Sequence, residues 1–451
     1  MRLSTRTLIP LLLAVPAWLC SPQAAAQVIA PTHAAVTDTP ATASSASDQV
    51  DLKDIRRFSR VYEVIRQAYV KKVDNKALMN AAIVGMLSEL DPHSEYLNKE
   101  GLAQLSEETS GQYSGLGIEV IQTGGRLRII SPIDDTPAAR AGIKPGDTIV
   151  KINGTLISPQ NVDAMFKQLR GKPGSKIELT ILHANSSQPV DLTLTREKIS
   201  ISSVRVRELE PGYAYIRISQ FQSDTASDLE RKLGALMAKD GAQKGAVLDL
   251  RNNPGGLLTA AVSVSDDFLD SGVIVTTRGR LPDSNMSFRA HPGDLLDGAP
   301  MVILTNNGTA SAAEIVSGAL KDNHRALTMG QRTFGKGVVQ TVLPLDADHA
   351  VKITTARYYT PNGTSIQAEG IQPDIPLAEL SVRKLDQAPA LINSEADLPH
   401  HLANENGDAG KPAGDHNNTA DAKLATRDYE LSQALNVLKG LAMSPRSAVR
   451  R

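Results

Sequence analysis

Residues Asn307 to Ile315 read N-G-T-A-S-A-A-E-I. The segment before them, Met301 to Asn306, is a short apolar β-rich run ending in turn residues, and the one after, Ala310 to Asp322, carries the spacing of a helix. This places Ser311 at a strand-to-helix turn, where free backbone N–H groups and the positive end of the helix dipole favour an alkoxide or oxyanion. The simpler reading of such a serine is a helix N-cap. As a nucleophile it needs a base, and none of the nine histidines lies in a recognisable protease motif.

A lysine serves as base when burial makes its amine neutral. Lys336 lies in T-F-G-K-G-V-V-Q-T-V-L-P-L, Thr333 to Leu345, between two small glycines and ahead of an apolar run. Gln340 follows at an even spacing, which on a strand puts both side chains on one face, with the amide able to orient the amine. Gly330 to Lys336 also matches most of a phosphate-binding loop, but Gly337 stands where a magnesium-binding Ser or Thr is needed. Upstream, Gly245 to Arg251 reads as a buried strand and Asn252 to Gly256 as a tight turn opening a helix. The amide of Gly255 or Gly256, with that of Ala312, is the candidate oxyanion hole; the blander reading of the same glycines is a turn alone.

Tyr113 to Ile118, Y-S-G-L-G-I, resembles the carboxylate-binding loop of a PDZ domain, with Gly115, Leu116, Gly117 and Ile118 as backbone donors. A short helix stopped at Gly142, a strand from Asp147 to Ile152, an Asn153-Gly154 turn, a helix carrying Val162, Met165, Phe166 and Leu169, and a strand from Lys176 to Leu182 follow in PDZ order. A peptide would add as a strand between loop and helix, its last side chain entering an apolar pocket near Phe166.

These strings, together with L-D-P-H-S-E-Y-L at Leu90 to Leu97 and P-I-D-D-T-P-A-A-R-A-G-I-K-P-G-D at Pro132 to Asp147, stand in one order and spacing. The chain resembles the carboxyl-terminal processing, or tail-specific, proteases of the S41 family, CtpA-like members included, over about residues 52 to 378. The resemblance implies a multidomain α/β protein: an N-terminal helical region, a PDZ domain inserted before a serine protease core of crotonase or ClpP-like α/β type, and a C-terminal helix. It implies Ser311, Lys336 and Gln340 as the catalytic triad, no cofactor and no metal, protein substrates with apolar C-termini, subunit association, and in some relatives activation by helical-repeat lipoprotein adaptors. Thr309 and Val338 depart from the family's usual serines. Two other readings differ in class. A catalytically silent PDZ scaffold or chaperone would not need all three triad residues, and the histidine-based PDZ proteases need a G-N-S-G-G that is absent here.

The expected domains are a signal peptide over 1–26, a flexible linker over 27–50, a helical region over 51–110, the PDZ domain over 111–197, the protease core over 198–380, a low-complexity segment over 381–424, and a C-terminal helix and tail over 425–451. Arg2 and Arg6 precede an apolar run from Leu8 to Leu19, too short to span a bilayer, and Ala24 to Ala26 offer a cleavage site. Export to the periplasm is the expectation, possible peripheral membrane attachment included; the single cysteine, Cys20, would leave with the leader. Losing Arg2 and Arg6 takes the formal net charge from −1 to −3, which points away from nucleic acid.

Ile55, Phe58, Val61, Tyr62, Ile65 and Tyr69 mark one amphipathic helix and Leu78, Ala82, Met86 and Leu90 a second. The region either packs on the core or, as the resemblance implies, joins subunits. Leu431, Ala434, Leu435 and Leu438 mark a last helix, either docked on a neighbouring subunit or weakly held at the surface. His400, His401 and His416 are close in sequence but lack a metal-ligand spacing.

Overall fold

A computed structural model of the protein describes residues 50–133, 135–184, 186–383, 402 and 420–443. The expected leader, most of the linker, nearly all of the low-complexity segment and the last eight residues lie outside the described residues, as do His400, His401 and His416. The chain separates into two compact units, residues 1–75 and 76–451.

In the first unit, helix α1 (Leu52–Ala68) starts at Asp51, whose side chain accepts the Lys53 amide at 2.9 Å, and carries Asp54 in its first turn and Arg66 in its last, complementing the helix dipole. The predicted apolar positions Ile55, Phe58, Val61, Tyr62 and Ile65 all fall within this one helix.

In the second unit, α2 (Asn75–Ser88) buries Leu87, not the predicted stripe, and leaves Met86 and Leu90 exposed. A row of strict four-residue steps drifts about 40° per step around a helix of 3.6 residues per turn, so its far end leaves the face where it began. After β1 (Glu95–Leu97) and α3 (Lys99–Ser110), the chain enters the expected PDZ domain through β2 (Gln112–Gly115) and leaves it through β9 (Glu197–Ser200), two strands paired antiparallel. Between them lie β3 (Ile118–Thr123), β4 (Arg126–Pro132), α4 (Pro137–Arg140), β5 (Thr148–Ile152), β6 (Thr155–Leu156), α5 (Val162–Gln168), β7 (Lys176–Leu182) and β8 (Pro189–Thr195). All pairings in this sheet are antiparallel. Alternation puts Leu127, Ile129, Ile177, Leu179 and Ile181 in its core and their neighbours outside.

The region expected to be the protease core is α/β. Strands β10 (Val204–Glu210), β11 (Tyr213–Ile218), β12 (Gly245–Asp249), β15 (Met301–Thr305), β16 (Leu327–Gly330) and β19 (Ile375–Pro376) form one sheet, parallel except for the β10 edge. Every residue of β12 and β15 is buried, because the sheet is covered on both faces. Helices α6 (Thr225–Asp240), α7 (Leu258–Asp266) and α8 (Ala312–Asp322) form a core with Ile216, Leu248 and Ile303. The alternate residues Val247, Val302 and Leu304 pack against Leu431, Ala434 and Leu438. These last belong to α10 (Tyr429–Met443), which follows α9 (Ala420–Arg427). The C-terminal helix is thus part of its own chain's core. Arg251 fastens it, bonding Asp249, Asp428 and Glu430 at 2.7 to 3.0 Å. A second sheet joins β1, β18 (Ala350–Tyr359), β13 (Val273–Gly279) and β14 (Met286–Arg289), with β17 (Val338–Pro344) also paired to β18.

Asp267, at the end of α7, is pushed up to about 8 by burial and by the carboxylates of Glu230 and Asp266. A raised carboxyl pKa means that stability is full below the unfolded value near 4 and declines as pH rises through about 8. Asp267→Asn is therefore expected to stabilise the chain by roughly 1–3 kcal/mol at pH 9 and to change little at pH 4. Thermal unfolding at both pH values checks this; equal shifts at both would contradict it.

Candidate active site

Ser311 joins the β15 turn to α8 with φ 55° and ψ −117°, a region that costs a non-glycine residue about 1–3 kcal/mol. The surroundings hold it there. Its N–H donates to a Glu314 carboxylate oxygen at 2.8 Å, and the Ala310 N–H donates to the Asn253 carbonyl at 2.9 Å. Buried Thr309 donates its hydroxyl to the Leu250 carbonyl at 2.9 Å and accepts the Asn306 amide at 3.0 Å. Both bonds need only a hydroxyl, which a serine or a threonine supplies.

The glycine turn packs directly on this serine. A Cβ on Gly255 would stand 2.7 Å from the Ser311 Cβ, and one on Gly256 would stand 2.1 Å from the Phe221 carbonyl oxygen, so neither position tolerates a side chain. Of the two amides expected to serve as donors, that of Gly255 is engaged: it donates to Asn253 Oδ1 at 2.9 Å. Among the described residues the amides of Gly256 and Ala312 have no acceptor. The physical reason is an Asx turn, an asparagine side chain accepting the amide two residues on, and its signal, Asn-Pro-Gly, stands in the sequence.

The Lys336 backbone is tied to that of Ser311 through Glu314. This fully buried carboxylate accepts the amides of Ser311 and Lys336, each at 2.8 Å, that of Gly335 at 2.7 Å, and the Thr333 hydroxyl at 2.5 Å. Burial raises its pKa, against the pull of those four bonds. Sequence reasoning passed over Glu314, although Ser311 and Glu314 have the S-x-x-E spacing of a capping box. Burial also lowers the Lys336 pKa, helped by the charge of Lys352 and opposed by Asp91, Glu314 and Glu95. Among the described residues the amine has no hydrogen-bond or ion-pair partner. Beneath it Tyr358, 2% exposed, donates its hydroxyl to the Lys336 carbonyl and lies beside the Ser311 hydroxyl; burial pushes its pKa well up.

The expected same-face relation of Lys336 and Gln340 along one strand does not hold, because β17 begins only at Val338. Gln340 instead reaches across to β18, its Nε2 donating to the Thr354 hydroxyl at 3.2 Å. A bulge that skips Thr355 sets these two residues opposite each other.

In the PDZ domain, Gly115, Leu116, Gly117, Ile118 and Phe166 line one cavity of about 880 Å³, as the sequence places them. Gly117 needs its φ of 74°, and a Cβ there would meet Thr136 at 2.3 Å. The Leu116 and Gly117 amides have no acceptor among the described residues, as a carboxylate site requires. Val204, Arg205 and Lys232 of the protease core also line the cavity, a contribution no local motif announces. Among the described residues no cluster of three His, Cys, Asp or Glu side chains is placed to hold a metal.

Residues 212–377 match the peptidase family S41 model, residues 114–194 a PDZ domain, and residues 22–101 the activating protease CtpB N-terminal domain. A carboxy-terminal-processing protease of Bartonella bacilliformis is 41% identical over 400 residues, covering 87% of this chain and 90% of that one. A probable CtpA-like serine protease of Staphylococcus aureus is 38% identical over 349 residues, 76% of this chain and 69% of that one. Among solved structures, a photosystem II D1 C-terminal processing protease shares 32% identity with a TM-score of 0.43, covering 73% of this chain and 94% of that one.

Proposed function

The chain belongs to the carboxy-terminal-processing proteases of peptidase family S41, and we propose that it cleaves protein substrates by Ser–Lys catalysis at Ser311 after its PDZ domain has bound their C-terminal tails. The observation that carries this reading is the single Glu314 carboxylate bonded to the backbones of both Ser311 and Lys336. Neutral Lys336 takes the Ser311 Oγ proton as the oxygen attacks the scissile carbonyl. The amides of Gly256 and Ala312 receive the oxyanion that forms, and Gly255 keeps the turn against the serine. The ammonium then returns its proton to the leaving amine, and the amine, neutral again, activates the water that hydrolyses the acyl-enzyme. Gln340 orients the amine.

The tail's carboxylate meets the Leu116 and Gly117 amides, and its last side chain lies near Phe166. The Arg2 to Ala26 pattern supports export to the periplasm, with cell-envelope proteins as substrates. The apolar face of α1 supports association between copies, and the same face would suit a helical-repeat adaptor.

The test incubates purified full-length protein with an unfolded protein ending in an apolar tail, and with the same protein ending in a charged tail. Cleavage of the first in preference to the second, lost in Ser311→Ala and unaffected by chelators, is the expected outcome. Wild-type cleavage by Ser311→Ala would reject the reading.

A further inference from the structure

The motif L-D-P-H-S-E-Y-L enters neither the triad nor the oxyanion hole, yet it ends beside them. Asp91 Oδ1 accepts the His93 amide at 2.8 Å and the Thr354 hydroxyl at 3.2 Å, and Oδ2 accepts the Ser94 hydroxyl at 2.7 Å. Ser94 in turn accepts the Thr354 amide at 3.2 Å. Register explains the meeting: Glu95 of β1 pairs with Lys352 of β18, and Gln340 of β17 pairs with Thr354 of β18.

The direction of this chain of bonds is fixed at one end. An ionised carboxylate only accepts, so the Thr354 hydroxyl must give its single proton to Asp91. Its oxygen can then only accept, and Gln340 must present Nε2 to it, which leaves Oε1 as the amide's free acceptor. An acceptor is what a lysine base needs beside it, because taking one amine N–H leaves the lone pair for the serine. We propose that Asp91, acting through Thr354, is a positioning residue that sets the orientation of the Gln340 amide toward Lys336. The proposal rests on the Ser–Lys reading given above.

Burial works to raise the Asp91 pKa, and the bonds from Ser94, His93 and Thr354 outweigh it, so the carboxyl stays below its ordinary range. Around Lys336, Lys352 favours the neutral amine, while Asp91, Glu314 and Glu95 favour the ammonium. Neighbouring His93 is itself held below its usual pKa by burial and by Lys336. Removing the Asp91 charge should therefore also let Lys336 lose its proton at lower pH, as loss of any of the three carboxylates would, so the loss in Thr354→Val and its rescue in Thr354→Ser are what mark a positioning role.

The test measures kcat and KM against pH for full-length Thr354→Val, Thr354→Ser and Asp91→Asn, with Lys336→Ala in parallel and thermal unfolding recorded for each. Thr354→Val, which keeps shape and loses the hydroxyl, should lower kcat on the order of 10- to 100-fold with little change in KM, and Thr354→Ser should restore it. Asp91→Asn should lower kcat and move the rise of activity to lower pH. Wild-type kcat in Thr354→Val beside an inactive Lys336→Ala would overturn this proposal alone, as would wild-type kcat in folded Asp91→Asn. Wild-type turnover by Lys336→Ala would instead overturn the Ser–Lys reading and this proposal with it. If Asp91→Asn fails to fold, the Thr354 pair, differing by one hydroxyl, decides.

Discussion

Lys336→Ala is expected to lower kcat by roughly 10⁴-fold or more while the chain remains folded. The amine is half-buried, and Tyr358, the side chain beside the Ser311 hydroxyl, has its pKa pushed well above 10 by burial, which makes it a poor base. In the wild type, kcat should rise with pH through a Lys336 pKa that burial and Lys352 hold below the ordinary 10.5, and the residual rate of Lys336→Ala should lack that rise. The stability sign is opposite to that of a lysine in an ion pair. A depressed amine pKa means the folded state binds fewer protons, so stability is gained as pH rises between the lowered pKa and 10.5. Lys336→Met, which keeps the stem and removes the charge, should thus unfold no earlier than wild type near pH 7. Pre-steady-state release of the first product, followed across pH with folding checked by circular dichroism, measures both effects. A Lys336→Ala enzyme with wild-type turnover would remove the lysine from the mechanism.

What was legible in the sequence is local, and what was not depends on distant strands. The β15 run, the turn and α8 are written in consecutive residues, so Ser311 could be placed at a strand-to-helix junction; its backbone strain could not, because Asn253 and Gly255 come from another turn. The PDZ domain was legible through the order of its turns and alternations, each a signal a few residues long. Lys336 was found by its flanking glycines, which let the Ala368–Gly370 and Gln367 backbones approach. The geometry inferred for it was mistaken, since alternation applies only inside a strand and the strand starts two residues later. The C-terminal helix showed its apolar spacing, but spacing does not name the surface that receives it. Asp91 and Thr354 are 263 positions apart, and no periodicity joins them.

Glu314→Gln should be the most damaging single-atom exchange outside Ser311, Lys336 and Gln340. Four donors converge on the carboxylate, two of them backbone amides that fix the serine and the lysine, and an ionised carboxylate has acceptor sites for all four. An amide has one oxygen, and its NH₂ end must face either the Ser311 and Lys336 amides, donor against donor, or the Gly335 amide and the Thr333 hydroxyl, whose proton then loses its acceptor. In either orientation two buried donors lose their partner. At about 1–3 kcal/mol each, the expected loss of stability is roughly 2–6 kcal/mol. Ser311 is already in a costly conformation that its amide bond to Glu314 helps to hold, so the serine should relax from it and kcat should fall at least about 100-fold. The exchange also removes a negative charge that favours the Lys336 ammonium, so whatever activity remains should appear at lower pH than in the wild type. Urea unfolding and a pH–rate profile on the same preparations separate the two consequences. A Glu314→Gln chain with the wild-type midpoint and kcat would mean that the two segments are held by something other than their shared carboxylate. A lowered midpoint with an intact kcat would confine Glu314 to stability.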